Sequence, residues 1–408
     1  ACFATFKSRR TAQPMSDLVA SVVIPVGPGC TSLGRCLDRV LRQEAVRKEI
    51  IIVSDPAVPE SDLPRGSEEL RVMRGRRAGH PGMLINDGMR AARGHVKVLL
   101  MPHCVPSGTG WLQGMLDLFE DESVGVVVSQ TVPAPETRPG LAACLLDSVR
   151  PAIRRNHRDH PVPVETVSHQ CDAYRASVLA DVGYFDTDHL PHPGEAVDMS
   201  IKMADAGFSM VLSDRVVVSR QTPPAGRRLG AALRRALQYG AADAALEKLH
   251  DMHWLNAGVH AGAAVSLLLL PVGLLSLPIG VALALLLLVW GAFLALRVPV
   301  LGVDVPVMAV NLAVYAAVML LVREDWAPGL FGKGMHPAII RQWCLLGSTT
   351  ASYLLLVART AGQGAWRTLR LPRGARSALP VFLLGFAWWL LAGVGYMRER
   401  LLPSGRGD

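Results

Sequence analysis

No CxxC pair occurs in this chain, and its seven cysteines stand apart at Cys2, Cys30, Cys36, Cys104, Cys144, Cys171 and Cys344. That spacing excludes a zinc finger or ribbon, and an odd, dispersed set suits reduced thiols in a cytoplasmic domain. A P-loop is missing too, since no GxxxxGK[ST] run occurs. The first glycine-rich turn, "VGPGCTS", has Ser32 where a dinucleotide fingerprint needs its third glycine. No GxSxG elbow is present, which argues against an α/β-hydrolase. The stretch "ACFATFKSRRTAQP" lacks an apolar core long enough for a signal peptide, and Met15 stands as a candidate start. A net charge of +8 raises nucleic acid as a partner. No helix-turn-helix, zinc-finger or RNA-binding signature accompanies that charge, so no nucleic-acid partner is expected.

Charge itself is missing from long stretches of the second half. Asn256 to Leu296 contains no Lys, Arg, Asp or Glu, and the run is about twice the roughly 20 residues that span a bilayer. Pro271 and Pro278 near its middle predict a hairpin of two spans, with a buried soluble helix pair as the alternative. Val305 to Val322 and Ser377 to Met397 are further uncharged spans, and Gln342 to Ala358, with its Ser and Thr residues, either crosses or lies at the interface. The expectation is a multi-pass region of four to five helices over 254–400, with a tail at 401–408. The loop Arg359 to Arg376 carries five arginines and no acid. The positive-inside rule puts that loop, and the N-terminal domain with it, on the cytoplasmic side of the inner membrane. Anionic lipid headgroups are the expected partners of the basic residues near the spans. Within "TPPAGRRLGAALRRALQYGAADAALEKLH", Leu229, Leu233, Leu237 and Tyr239 alternate with paired arginines. Residues 225–253 therefore read as an amphipathic interface helix.

The first half alternates strand and helix. "ASVVIPV", "EIIIV", "LRVMR", "HVKVLLM" and "SVGVVVSQ" are continuous apolar runs. Between them, "TSLGRCLDRVLRQE" places Leu33, Cys36, Leu37, Val40 and Leu41 on one helical face, and "PGMLINDGMRAARG" opens on Pro and closes on Gly. "SGTGWLQGMLDLFED" is a further helix. The pattern predicts an α/β fold, a mostly parallel sheet flanked by helices. Ligands of such sheets bind beyond the carboxyl ends of the strands, which here are Pro25 to Gly29, Ser54 to Ala57 and Met101 to Cys104.

The order of segments over about Ala20 to Pro224 resembles a family-2 glycosyltransferase of the GT-A, Rossmann-like fold. "EIIIVSDPA" is similar to the family's "EIIVVDDGS", and "NDGMRAARGHVKVLLM" to "NxGxxxAxGxxxxFLD". "YRASVLADVGYFD" is similar to "YRRSVLEEVGGFD", and "GEAVDMSIKMADAGF" to "GEDVDLSYRLRRAGY". The resemblance implies a domain over 20–224, after an extension at 1–19. It also implies a nucleotide-sugar donor, a UDP-sugar first, and a lipid-linked or cell-envelope polysaccharide acceptor, with envelope-biosynthesis proteins as partners. Donor-side positions carried over are Pro25, Gly27, Ser54, Asp55, Arg76, Arg77, Asn86 and His103. Acceptor-side positions are Tyr174, Arg175, Gln238 and Tyr239. The departures are chemical. The family's metal-binding Asp-x-Asp reads Met101-Pro102-His103, so Mg²⁺ or Mn²⁺ loses its oxygen ligands and His103 alone remains. The family's Glu-Asp pair, whose second acid is the base, reads Glu195-Ala196, leaving Glu195 or Asp198 as the candidate base. Two readings stand: a membrane-bound glycosyltransferase in which an arginine-rich loop replaces the ion, or a pseudo-glycosyltransferase serving as a scaffold in envelope glycan assembly.

Overall fold

The computed structural model describes residues 20–43, 46–134, 140–149, 161–190, 194–221, 229–250, scattered positions between 261 and 366, and 378–402. The chain divides into two compact units. The first comprises Ala1–Ala134, Ile153–Phe185 and Met199–Gln221, and the second Pro135–Ala152, Asp186–Asp198 and Thr222–Asp408.

The first unit is built on one nine-stranded sheet. Its strands are β1 (Ala20–Val26), β2 (Lys48–Ser54), β3 (Leu70–Arg74), β4 (Val96–Leu100), β5 (Cys104–Pro106), β6 (Val124–Pro133), β7 (Val162–Pro163), β8 (Cys171–Arg175) and β9 (Ser209–Arg220). Their order is β3-β2-β1-β4-β8-β6-β9-β5, with β7 beside β9. Strands β1 to β4 are mutually parallel, β8 is antiparallel to both β4 and β6, and β6 runs with β9. The sheet is therefore mixed and mostly parallel. All five apolar runs are strands, and β1 is buried along its whole length. Strands buried on both faces have no solvent side on which a polar residue could alternate, which is why these runs are continuous.

The helices of this unit cover both faces. In α1 (Leu33–Leu41) the buried residues are Leu33, Cys36, Leu37 and Val40, and Leu41, expected on the same face, is 40% exposed where the helix ends. These side chains join Trp111, Leu112, Met115 and Leu116 of α3 (Trp111–Asp117) and the even-numbered residues of β1 in one core. On the other face lies α2 (Pro81–Ala91), with Pro81 at its start, where the missing N–H costs nothing. It sits so close to the sheet that a Cβ on Gly88 would lie 2.3 Å from Val23 Cγ1 and 2.8 Å from Val53 Cγ2. The glycine in "NDGM" is thus a packing requirement.

Four strands were absent from the sequence reading: β5, the two-residue β7, β8 and β9. Strand β5 falls between the apolar run HVKVLLM and the helix that follows it. Met101 O accepts from Cys104 N at 2.8 Å, closing a turn with Pro102 inside it, and the chain then pairs with the end of β9. Strand β8 carries Asp172 and Tyr174 amid its apolar residues, and β9 is interrupted by a register shift against β6 between Ser129 and Gln130. Neither shows a clean apolar period.

In the second unit, α4 (Leu141–Val149), α7 (Leu229–Leu249) and α8 (Ala378–Leu401) share a core with Ala142, Leu145, Ala232, Ala236, Trp388 and Ala392. Helix α7 differs from the expected lipid-surface helix. Its small residues Ala232, Ala236 and Gly240, four apart, face α8. A Cβ on Gly240 would stand 1.8 Å from the Ala392 carbonyl oxygen, and one on Gly395 2.2 Å from that of Leu237. Small residues at both sides let the two backbones approach. A polar cluster closes the crossing: Arg400 Nη2 donates to Glu247 Oε2 at 2.6 Å, and the Tyr396 hydroxyl donates to the same oxygen. Helix α8 is the one described helix long and apolar enough to cross a membrane, with a mean hydropathy of 1.9. The spans expected within 256–296 and 305–322 lie outside the described residues apart from Ala261, Ala264 and Leu267, and Gln342 to Ala358 is described only at scattered positions.

Candidate functional site

In the order β3-β2-β1-β4 the chain winds outward from β1 and then returns to β1's other side. The crevice at such a switch point, beyond the carboxyl ends of β1 and β4, is where open α/β sheets bind ligands. The fold brings Pro25, Gly27, Ser54, Asp55 and His103 to that edge, at the tips of β1, β2 and β4. A Cβ on Gly27 or Gly29 would meet nothing within 4 Å, so open space lies over the β1 tip. Pro25 and Ser54 are buried beneath it, with Ser54 Oγ 3.5 Å from the Met73 carbonyl.

Asp55 organises the neighbouring loop. It is 2% exposed, and its two oxygens accept the backbone N–H groups of Ala57 at 2.8 Å and Gly79 at 2.6 Å. Arg74 Nη1 donates to the Val58 carbonyl at 2.5 Å, and Gly75 N to Ser54 O at 2.8 Å. Arg76 is committed to Asp87: its backbone N donates to Oδ2 at 3.1 Å and its Nε to Oδ1 at 2.8 Å. Arg71 donates to the Ala91 carbonyl at 2.6 Å. Arg74, Arg76, Arg77 and His80 are all exposed, but Arg74 and Arg76 are engaged by partners that hold the loop. Arg71, Arg74 and Arg76 hold the loop itself, so the arginine-rich loop expected to replace the ion offers Arg77 and, beside it, His80.

Asn86 is 3% exposed, and its amide brackets Phe185: Nδ2 donates to the Phe185 carbonyl at 2.7 Å and Oδ1 accepts the Phe185 N–H at 3.1 Å. Both polar atoms are used in tying α2 to the chain after α5 (Ala176–Val182), so the expected donor contact is replaced by a structural one.

At the tip of β4, His103 Nε2 donates to Gln170 Oε1 at 2.7 Å, the acceptor oxygen being fixed because Gln170 Nε2 donates to the His169 carbonyl at 3.2 Å. Gln170 comes from a turn that the sequence reading missed. Its keystone is Asp172, fully buried, which accepts Ser168 N at 3.1 Å, Ser168 Oγ at 2.6 Å and His169 N at 2.6 Å. The turn holds His169 at φ +54°, a conformation side chains rarely adopt. Burial pushes the Asp172 carboxyl up to about 6, against the pull of those hydrogen bonds. The serine four residues before an aspartate in "SHQCD" was the available signal.

This edge does not fit a divalent ion. Met101 offers sulfur, His103 Nε2 carries the proton it shares with Gln170, and no group of three or more His, Cys, Asp or Glu is gathered among the described residues.

Tyr174 and Arg175 lie away from this edge. They pair with Lys97 and Val96, at the amino end of β4. Tyr174 is fully buried, edge-on to Phe185 at 5.9 Å. Arg175 caps the Phe119, Asp121 and Val124 carbonyls at 2.8, 3.0 and 3.2 Å. The acceptor-side expectation for both is corrected: the side chains are consumed by the core and by a loop.

Glu195, Asp198, Gln238 and Tyr239 belong to the second unit. Glu195 and Asp198 sit in the first turns of α6 (Gly194–Asp205), at 3% and 0% exposure. Asp198 Oδ1 is 2.9 Å from His250 Nε2, just past the end of α7. Tyr239 packs its ring edge on Trp388 at 5.9 Å, and Gln238 is exposed.

Residues 21–183 match the family model described as Glycosyl transferase family 2. Over those residues the chain is similar to that family. No curated protein matches it. Among solved structures, the mannosyltransferase PcManGT from Pyrobaculum calidifontis, in complex with GDP-Man and Mn²⁺, is 15% identical with a TM-score of 0.47, over 93% of this chain and 87% of that one. GalNAc-T7 with UDP, GalNAc and Mn²⁺ is 15% identical with a TM-score of 0.41, over 57% of this chain. The chain spans about half, 52%, of that structure's length. TarS of S. aureus is 14% identical with a TM-score of 0.38, over 57% of this chain and 43% of that one.

Proposed function

We propose that this chain carries a family-2 glycosyltransferase domain, which transfers a sugar from a nucleotide-sugar donor, a UDP-sugar first, to a lipid-linked or cell-envelope polysaccharide acceptor. The observation that carries the reading is the open space over Gly27 and Gly29 at the β1–β4 switch point, beside a loop that Asp55 fastens in place. The donor's diphosphate leaves with negative charge, and fixed cations aimed at it lower the barrier. Arg77 and His80, exposed on the fastened loop, are the residues assigned to that charge, with no divalent ion at Met101-Pro102-His103. An acceptor hydroxyl then displaces the diphosphate in line. The protein is placed at the inner membrane as a multi-pass protein with its catalytic domain in the cytoplasm. In support, α8 exposes Leu379, Leu383, Val394 and Leu401 along its length, as a lipid-facing stripe does.

A specific observation favours the second reading, a pseudo-glycosyltransferase acting as a scaffold in envelope glycan assembly. The family's base position is Ala196, and the nearby carboxylates of Glu195 and Asp198 are buried. Titrating the purified full chain with UDP- and GDP-hexoses, in EDTA and in Mn²⁺, separates the two. Binding and nucleoside-diphosphate release in EDTA supports the enzyme, binding without release supports the scaffold, and no binding of any nucleotide sugar refutes both.

A further inference from the structure

The edge that does not fit a divalent ion carries a fixed cation. Strand β9 ends there, because β9 runs parallel to β6, and both β4 and β6 are antiparallel to β8. Its last residue is Arg220, in register with Cys104 of β5 on one side and Pro133 of β6 on the other. The turn Met101-Pro102-His103 is laid along the same edge by backbone hydrogen bonds. Met101 N donates to the Gln170 carbonyl at 2.8 Å, and Gln221 N donates to the His103 carbonyl at 2.8 Å. Arg220 is fixed beside that turn, its own carbonyl accepting Ala134 N at 3.0 Å. All of these residues belong to the first unit.

The strand period sets the face of the sheet on which Arg220 lies. Residues two apart on a strand share a face, and so do directly opposed residues of an antiparallel pair. Val218 and Cys104 are fully buried in one core, against which Cys30 and Met101 also pack. Arg220 follows Val218 on that face and is half-buried, so the row leaves the core at the carboxyl edge. It emerges on the side where Cys30 ends the loop over the β1 tip. The charge is felt below it: burial pushes the Cys104 thiol up to about 12, and the Arg220 guanidinium pulls the other way. A guanidinium has five N–H donors, so it can keep a protein partner and still present a fork to phosphate.

We infer that Arg220 is a catalytic residue that holds the donor's diphosphate where the family uses a divalent ion. The inference rests on the transferase reading above, and it adds a cation on the other side of the β1 tip from Arg77 and His80. In the step, the acceptor oxygen bonds to the anomeric carbon and its proton passes to water. The bond from that carbon to the diphosphate oxygen breaks, and the electron pair stays on that oxygen. Arg220 donates to the diphosphate as this charge grows. An arginine keeps its proton at any working pH, so the positive charge is permanent.

The test uses the full chain in detergent, with UDP against uridine and GDP against guanosine as probes, in EDTA and in Mn²⁺. Each pair differs by the diphosphate alone, so the ratio of the two affinities isolates that group. The wild type is expected to bind one of the two diphosphates in EDTA, with an affinity that Mn²⁺ leaves unchanged. Arg220→Gln is expected to weaken that binding about tenfold or more and to leave the nucleoside's within about twofold. Arg220→Lys should fall between, since a point charge replaces a fork. Arg215→Gln, exposed earlier on β9, should alter neither. An Arg220→Gln protein with the wild-type affinity ratio overturns the inference and leaves the transferase reading intact. Equal losses for diphosphate and nucleoside assign Arg220 to the fold and overturn it too. So does a wild type whose diphosphate binding EDTA abolishes and Mn²⁺ restores, a result that requires no variant to fold. A wild type that binds none of the four probes in either condition overturns the transferase reading, and the inference with it.

Discussion

Replacing Asp55 with asparagine tests whether the loop of Arg77 and His80 is held by one side chain. In the native structure both Asp55 oxygens accept a backbone N–H, one from Ala57 and one, 24 residues on, from Gly79. Asparagine keeps one acceptor and turns an N–H₂ donor toward the other N–H, so a charge-assisted hydrogen bond of about 1.5–3 kcal/mol is lost. The remaining ties, Gly75 to Ser54 O and Arg76 to Asp87, hold the near end of the loop and not its far end. The loss should therefore appear as local opening, raising the open population roughly 10- to 150-fold. Limited trypsin digestion reads this directly, because cleavage after the exposed Arg77 tracks the open population when closing is fast. Asp62→Asn, in an exposed 3-10 turn, is the control. Cleavage rates at Arg77 within about twofold of wild type would refute the reasoning. So would faster cleavage accompanied by an equal fall in global stability, which would make Asp55 a core residue and not a loop fastener.

Gly88→Ala should destabilise the first unit by a net ~1–2 kcal/mol, overpacking against Val23 and Val53 outweighing the better helix propensity of alanine. Adding Val23→Ala should recover ~1 kcal/mol or more of coupling in urea titrations, and strict additivity would disprove the contact. Asp172 binds its proton more readily folded, at about 6, than unfolded, at about 4. Its contribution to stability is thus fullest below pH 4 and fades as pH rises through 6, by at most ~3 kcal/mol. Asp172→Asn should flatten the dependence of unfolding free energy between about pH 4 and pH 6, and an unaltered slope there would count against the assignment. Burial pushes the Cys104 thiol up to about 12 and raises those of Cys36 and Cys171. In native protein, iodoacetamide should label the half-buried Cys30 about a hundredfold or more faster than these three, read site by site by mass spectrometry.

The parts of the fold that were legible in the sequence are those with a local physical signature. Strands β1 to β4 and β6 are continuous apolar runs, and α1 repeats its buried residues at Leu33, Cys36, Leu37 and Val40. The strand tips followed from those elements, and so did the edge at which Gly27, Asp55 and His103 gather. Strand β8 was illegible because Asp172, a buried carboxylate, breaks its period, and β9 because a register shift interrupts it. Strand β5 is three residues long and exists only because the end of β9 lies beside it.

The uses of the polar residues divide along the same line. From sequence, Asn86, Arg76, Tyr174 and Arg175 are all plausible ligand contacts. In the folded chain Asn86 spends both polar atoms on Phe185, Arg76 pairs with Asp87, Tyr174 is enclosed, and Arg175 caps three carbonyls. His250, which carried no motif at all, acquires a buried partner in Asp198. Sequence by itself determined strands β1 to β4 and β6, the helices α1 to α3 and the strand-tip edge, since apolar periodicity is written along the chain and each element reads its own stretch. Tertiary structure alone decided which polar groups remain available at that edge, since a buried donor or acceptor takes the nearest partner in space, and that partner is often a hundred residues away in sequence.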